Sequence, residues 1–215
     1  MIINRQEILR YLGYGRNIPD ERTDILIDEC IEEVMQVMEC RSTYRRFPLE
    51  ICGKGLMRVC GIEFHSENLA KNLRDCEEVI FMAATLGPGP DRLMNRYQKL
   101  HISKAAVLQA TAAAAIESYC NELQSEIADD LSGENLFLRP RFSPGYGDLS
   151  LNVQADFLGM LDAAKQAGIV LSDGGVMIPE KSVTAVIGIS RTNESCHMDG
   201  CESCEKINCA YRRQS

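Results

Sequence analysis

Apolar residues recur at helical spacing in some stretches of the chain and in continuous runs in others. Ile27, Cys30, Ile31, Val34, Met35 and Met38 stand three and four residues apart, which predicts an amphipathic helix from Asp20 to about Cys40. Its opposite face carries Asp28, Glu29, Glu32, Glu33 and Glu39, the pattern of a solvated face. A shorter helix over 5–13 precedes it and ends at Gly13, Gly15 and Pro19. Strands are expected at Tyr44 to Ile51 and Leu56 to Phe64, paired as a hairpin around Gly53-Lys54-Gly55. Ser66 opens a short helix as its N-cap. Glu78 to Thr85 is an apolar run that predicts a buried strand. Helices follow at Asp91 to Leu100 and from Ser103 to about Asp130. The second is Ala-rich (Ala110, Ala112 to Ala115), so it can lie close against a sheet or another helix. Residues 131–138 are expected as a loop. Val153 to Ala167 predicts a helix with Phe157, Leu158, Leu161 and Ala164 inward and Gly168 closing it. Short strands are expected at Val176-Met177 and at Ser182 to Ile189.

Strands do not alternate regularly with helices in this order. The expectation is therefore an α+β fold with a mostly antiparallel sheet packed against helices, not a doubly wound parallel sheet. The organisation expected is one domain, with residues 1–75 belonging to the same unit as a core at 76–190. A polar, Cys-rich tail follows at 191–215.

A net charge of −8 argues against a nucleic-acid partner, which would need a basic face. Residues 1–10 are polar and no stretch is long enough to cross a bilayer, so no membrane association is expected and the chain reads as cytoplasmic. In that compartment the ten cysteines are not expected to form disulfides. Cys30, Cys40, Cys52, Cys60, Cys76 and Cys120 are scattered and read as small core residues.

The other four, Cys196, Cys201, Cys204 and Cys209, have the spacing C-x4-C-x2-C-x4-C. Thiolates so close together in a polar stretch suit zinc or an iron–sulfur cluster, and a frayed tail with reactive thiols is the alternative. The Gly-rich loop Leu86 to Pro90 lacks the Lys-Ser/Thr ending of a phosphate-binding loop.

The segment RFSPGYGD, Arg141 to Asp148, contains a turn that Pro144 pins and at which Gly145 and Gly147 allow close backbone approach. Arg141 offers a two-pronged fork for a carboxylate, and Tyr146 offers a ring and a hydroxyl. A plain turn with surface arginines reads equally well from these residues alone.

The pattern R-x-x-P-G-Y (Arg141, Pro144, Gly145, Tyr146) resembles the S-adenosylmethionine-binding motif of the cobalamin-dependent methionine synthase activation domain. Met177-x-Pro179-x-x-Ser182-Val183-Thr184 is similar to that family's M-x-P-x-x-S-V-S segment. Ala113 to Glu117 resembles the helix that carries a ligand-contacting glutamate. The likeness spans roughly residues 80–190. Gly147-Asp148-Leu149-Ser150 stands where the large synthases have Pro-Ala-Cys-Pro, and the cobalamin-binding D-x-H-x-x-G is absent, so the chain resembles a free-standing activation subunit.

The resemblance implies that residues 76–190 bind S-adenosylmethionine. Arg141 would meet the ligand carboxylate and Glu117 its amino group or ribose. Pro144, Gly145 and Tyr146 would form the turn beside it. It implies a cobalamin-bearing synthase core or other corrinoid partner, and an electron donor. The work would be reductive methylation of cob(II)alamin to methylcobalamin, with the chain as an accessory subunit of a methyltransferase in methionine biosynthesis and no catalytic residue of its own. The tail is not part of the family's pattern; an iron–sulfur cluster on Cys196, Cys201, Cys204 and Cys209 would be placed to relay the electron, with zinc as the rival occupant. The alternative is a metal or iron–sulfur redox protein that reduces a corrinoid protein without binding S-adenosylmethionine.

Overall fold

The computed structural model describes residues 1–15 and 17–192. Two long strands, β5 (Cys76–Thr85) and β9 (Ser182–Ser190), form the middle of a four-stranded antiparallel sheet. Their flanks are β1 (Arg41–Pro48) and β6 (Phe137–Leu138), in the order β1-β5-β9-β6. Both central strands are buried on both faces, which is why they read as unbroken apolar runs. Side chains of a strand alternate between faces. Ile80, Met82, Ala84, Ala185, Ile187 and Ile189 point to one layer; Val79, Phe81, Ala83 and Val186 point to the other.

The first layer is helical. It holds α1 (Arg5–Tyr11), α2 (Glu21–Val37), α4 (Gly89–Leu100) and α5 (Ile102–Ser132). At 31 residues α5 runs about 46 Å, at 1.5 Å per residue. Ala112, Ala114 and Ala115 on it are fully buried and let it approach the sheet. Asn4 caps α1, and Asp20 caps α2 by accepting from the Thr23 N–H at 2.8 Å. The acidic face of α2 is not simply solvated: Lys104 of α5 reaches Glu29 at 3.1 Å and Glu33 at 2.6 Å, and Arg5 of α1 pairs with Asp24 and Asp28. Met35, expected inward, is exposed.

The second layer combines α3 (Glu67–Asn72), α6 (Gln154–Met160), α7 (Ala163–Gln166) and a three-stranded sheet. That sheet is β2 (Glu50–Gly53), β3 (Leu56–Val59) and β4 (Ile62–His65). The aromatic side chains Phe47, Phe64, Phe81 and Phe157 meet at its centre, with Phe81 and Phe157 only 4.4 Å apart between ring centroids. A small hairpin, β7 (Val170–Leu171) and β8 (Met177–Ile178), lies beyond α7.

Several boundaries differ from those expected. The strand expected over Tyr44 to Ile51 is two strands in two sheets. β1 pairs with β5 as far as Pro48, which has no N–H with which to extend a ladder, and β2 then pairs with β3. The strand expected over Leu56 to Phe64 folds back at Cys60-Gly61. Both residues have positive φ (50° and 81°), and they join the facing pair Val59 and Ile62 as a type I′ turn does. The helix expected over 153–167 breaks at Asp162, which is left-handed. The break rotates the following turn, so that Ala163 is buried and Ala164 is exposed. Gly168 closes α7 with φ of 70°, as expected. Phe137–Leu138, expected in a loop, is the edge strand β6.

Of the scattered cysteines, Cys30, Cys76 and Cys120 are buried, but Cys40, Cys52 and Cys60 are exposed. The last two lie on or next to the outward β2–β3–β4 strands. The tail cysteines Cys196, Cys201, Cys204 and Cys209 lie outside the described residues. Among the described residues no helix is long and apolar enough to cross a membrane.

Candidate functional site

The segment that follows β6 continues along β9 and carries Arg141. Leu138 pairs with Ile189, and the Arg139 N–H donates to Gly188 O at 2.8 Å. Phe142 and Val186 then exchange two N–H···O bonds of 2.9 Å. From Leu138 to Phe142 the segment advances four residues, while β9 moves back only three, from Ile189 to Val186. The extra residue is a bulge at Pro140-Arg141, where proline costs no ladder bond. A bulge reverses the alternation of faces. Leu138 packs on the helical layer and Phe142 in the opposite one, although both are even-numbered. Arg141 consequently points at α5.

There its guanidinium meets a row of three acceptors one and two turns apart. It donates to Glu117 Oε2 at 3.2 Å, Asn121 Oδ1 at 2.7 Å and Gln124 Oε1 at 2.9 Å. Arg141 and Glu117 are both partly buried. The neighbouring Tyr11 of α1 has its hydroxyl pKa pushed up, by burial first and then by the Glu117 charge. Cys120, one turn from Glu117, has its thiol pushed up to about 12, chiefly by burial.

The turn itself stands out from the surface. Gly145 has φ of 85°, a conformation that only glycine adopts freely, and a Cβ there would lie 2.9 Å from Leu151 Cδ2. The Tyr146 N–H closes the turn on Ser143 O at 3.0 Å, and the Gly145 N–H donates to Leu149 O at 2.8 Å. Tyr146 is half-exposed and rests edge-on against Phe142, 5.3 Å between centroids. Pro144 is partly buried at the start of the turn.

The second motif segment is tied through one buried side chain to α6, the helix that follows the turn. Gln154, at the start of α6, donates from Nε2 to Thr184 Oγ1 at 2.5 Å and to Met177 Sδ at 3.4 Å. Arg141 thus meets Glu117 on the helical side of β9, while Gln154, Met177 and Thr184 meet on its other side, two residues along the strand from Val186. Asn121 and Gln124 were not singled out in the sequence, although their i+4 and i+7 spacing from Glu117 puts them on its helix face. Gln154 and Asp148, taken up below, carry no such signal, because their partners are remote in sequence.

The arrangement suits the amino-acid end of a ligand. It sets a guanidinium, three of whose five N–H donors are engaged by α5 among the described residues, beside a carboxylate, the two charge types that such an end calls for. The adjacent Glu117 carboxylate can accept from an ammonium group. Among the described residues no three His, Cys, Asp or Glu side chains come together as a metal site. A surface cleft of about 420 Å³ lies elsewhere, between the Lys54 turn and α3, and shares no residue with the Glu117–Arg141 cluster.

No family model and no curated protein matches the chain in sequence. Among solved structures the fold is similar to that in the crystal structure of the MetH reactivation domain bound to AdoHcy, with a TM-score of 0.63 and 14% sequence identity. The likeness covers 88% of this chain and 77% of that one. The chain has an α+β fold of the reactivation-domain type.

Proposed function

We propose that this chain binds S-adenosylmethionine at the Arg141–Tyr146 turn and serves to reactivate a cobalamin-bearing methionine synthase core or other corrinoid protein. The supporting observation is that segments remote in sequence are bonded together around β9. Arg141 is 3.2 Å from Glu117, the Arg141 segment is bonded to β9 at Val186, and Gln154 ties the turn's following helix to Thr184. They are so bonded in a fold similar to that of a reactivation domain solved with AdoHcy, the product that S-adenosylmethionine leaves on giving up its methyl group.

When bound, S-adenosylmethionine supplies an electrophilic methyl group; a separate donor supplies the electron. The chain's own residues bind and orient. Arg141 pairs with the ligand carboxylate and Glu117 accepts from its ammonium group. The Gly145 backbone permits close approach, and the Tyr146 ring covers one side of the ligand. This is catalysis by positioning, without an acid or base of the protein's own. A cytoplasmic setting fits such a role.

Titration calorimetry with S-adenosylhomocysteine and S-adenosylmethionine tests the reading. Saturable one-to-one binding of both supports it. Absence of binding to the folded chain, at concentrations where a control protein binds, refutes it. The redox alternative, a metal protein that reduces corrinoids without this ligand, predicts that absence together with a bound metal.

A further inference from the structure

Asp148 follows the turn directly, and its carboxylate does not face Arg141. It reaches across to the start of α3. Its Oδ1 accepts from the Ser66 hydroxyl and from the Asn68 N–H at 3.2 Å, and its Oδ2 accepts from the Glu67 N–H at 2.7 Å. Ser66 Oγ in turn accepts from the Leu69 N–H at 2.9 Å. The first N–H groups of a helix have no partner within it. Here two side chains satisfy three of them, and one of the two comes from a segment some eighty residues away. The contact is close on the backbone side too: a Cβ on Gly147 would lie 2.8 Å from Asn68 Nδ2. Burial opposes the Asp148 charge, but the hydrogen bonds from Ser66, Glu67 and Asn68 outweigh it and hold the carboxyl below the usual aspartate range.

The turn is therefore held on both sides. Upstream, Phe142 is bonded to Val186 of β9. Downstream, Asp148 is fixed to α3, and Leu149 is buried with its N–H on Tyr146 O at 3.1 Å. Between these anchors Gly145 and Tyr146 project from the surface. We propose that Asp148 is a positioning residue, which clamps the Gly145–Tyr146 turn to α3 and so presents it, already shaped, beside Arg141. The inference rests on the ligand-binding role of that turn. A prearranged turn spares a ligand the cost of ordering it.

The test combines amide hydrogen exchange by NMR on the full chain with calorimetric titration of S-adenosylhomocysteine, for wild type, Asp148→Ala and Asp148→Asn. In Asp148→Ala the amides of Gly145, Tyr146 and Leu149 are expected to exchange about tenfold faster, while those of β5 and β9 stay protected. Ligand affinity should fall by about tenfold, the scale of one hydrogen bond to a charged group. Asp148→Asn keeps one acceptor oxygen and should recover part of both. Unchanged exchange at the three turn amides in a folded Asp148→Ala overturns the clamp. Should Asp148→Ala fail to fold, Asp148→Asn decides: faster exchange at those amides upholds the clamp and unchanged exchange overturns it. A wild-type chain that binds no S-adenosylhomocysteine refutes the functional reading instead, and the exchange data still judge Asp148.

Discussion

Replacing Arg141 by alanine tests the site at its centre. The substitution removes a guanidinium that holds Glu117, Asn121 and Gln124 at 3.2, 2.7 and 2.9 Å. Its effect on folding should be small. The Arg141–Glu117 pair is only partly buried, so its loss costs about 1 kcal/mol. Asn121 is exposed and Gln124 partly so, and both can turn to water. A domain of this size is expected to tolerate that, with a stability of about 5–15 kcal/mol.

The effect on ligand affinity should be much larger. A hydrogen bond to a charged group is worth roughly 1.5–3 kcal/mol, and each 1.4 kcal/mol is tenfold in affinity, so binding of S-adenosylhomocysteine should weaken by roughly tenfold to a hundredfold. Glu117, no longer neutralised, would add repulsion toward the ligand carboxylate. Arg141→Lys keeps the charge and loses the planar fork, and should fall between the two. Adenosine, which lacks the amino-acid end, should bind wild type and both variants equally. Calorimetry at one fixed salt concentration reads all three. S-adenosylhomocysteine binding that is undiminished in a folded Arg141→Ala refutes the role of Arg141, and a parallel loss for adenosine would show that the substitution had deformed the whole site.

Gly89→Ala should destabilise the fold by about 3 kcal/mol or more, because its Cβ would lie 1.9 Å from Val37 O; Gly133→Ala, with nothing within 4 Å, should be neutral or mildly stabilising, and thermal melts compare the two. Alkylation of the native protein near neutral pH should label the exposed Cys52 and Cys60 and spare Cys30 and Cys120, whose thiols burial pushes up to about 12; mass mapping before and after denaturation checks this. The folded-state pKa of Asp148 is depressed, so its contribution to stability is present above the usual aspartate range and lost as pH falls through the folded value; Asp148→Asn should flatten that acid limb in melts taken across it. Metal analysis after anaerobic purification should find zinc, or iron with sulfide, bound through Cys196, Cys201, Cys204 and Cys209; stoichiometric metal that persists in a Cys201→Ser, Cys204→Ser chain would refute that ligand set.

The layered fold was legible wherever one residue type had one role. The runs at Glu78 to Thr85 and Ser182 to Ile189 are apolar on both alternations because both faces of β5 and β9 are covered. Gly53-Lys54-Gly55 turns where expected. Legibility failed where the chain changes partners without changing composition. Pro48 is the one mark in Phe47-Pro48-Leu49-Glu50 that one sheet ends and another begins, and a proline is equally at home within an edge strand; Cys60-Gly61 makes a turn usually marked by Asn-Gly. At Asp162 a polar residue with no glycine beside it takes the left-handed conformation and rotates the end of a helix that the apolar pattern had joined.

The site divides in the same way. Arg141, Pro144, Gly145 and Tyr146 are visible because they are local. Their arrangement is not, because it depends on a count that spans two strands. One residue more on the 138–142 segment than on β9 reverses the face of everything after it. Were the extra residue held in a regular ladder instead of a bulge, simple alternation from Leu138 would carry Arg141 to the face that Phe142 now occupies, among the aromatic side chains of the second layer and away from Glu117. The bulge is therefore what joins the turn motif to the helix motif. β9 supplies the fixed frame for both. Thr184 receives Gln154, Val186 receives Phe142 and Gly188 receives Arg139, at alternate positions along the strand. Gly188 has no room for a side chain, with Cys76 Sγ 2.7 Å and Arg139 Cγ 3.0 Å from where its Cβ would be. The strand that builds the core is thus also the ruler along which the site is set out, and a slip of one residue against it would leave the core apolar but dismantle the site.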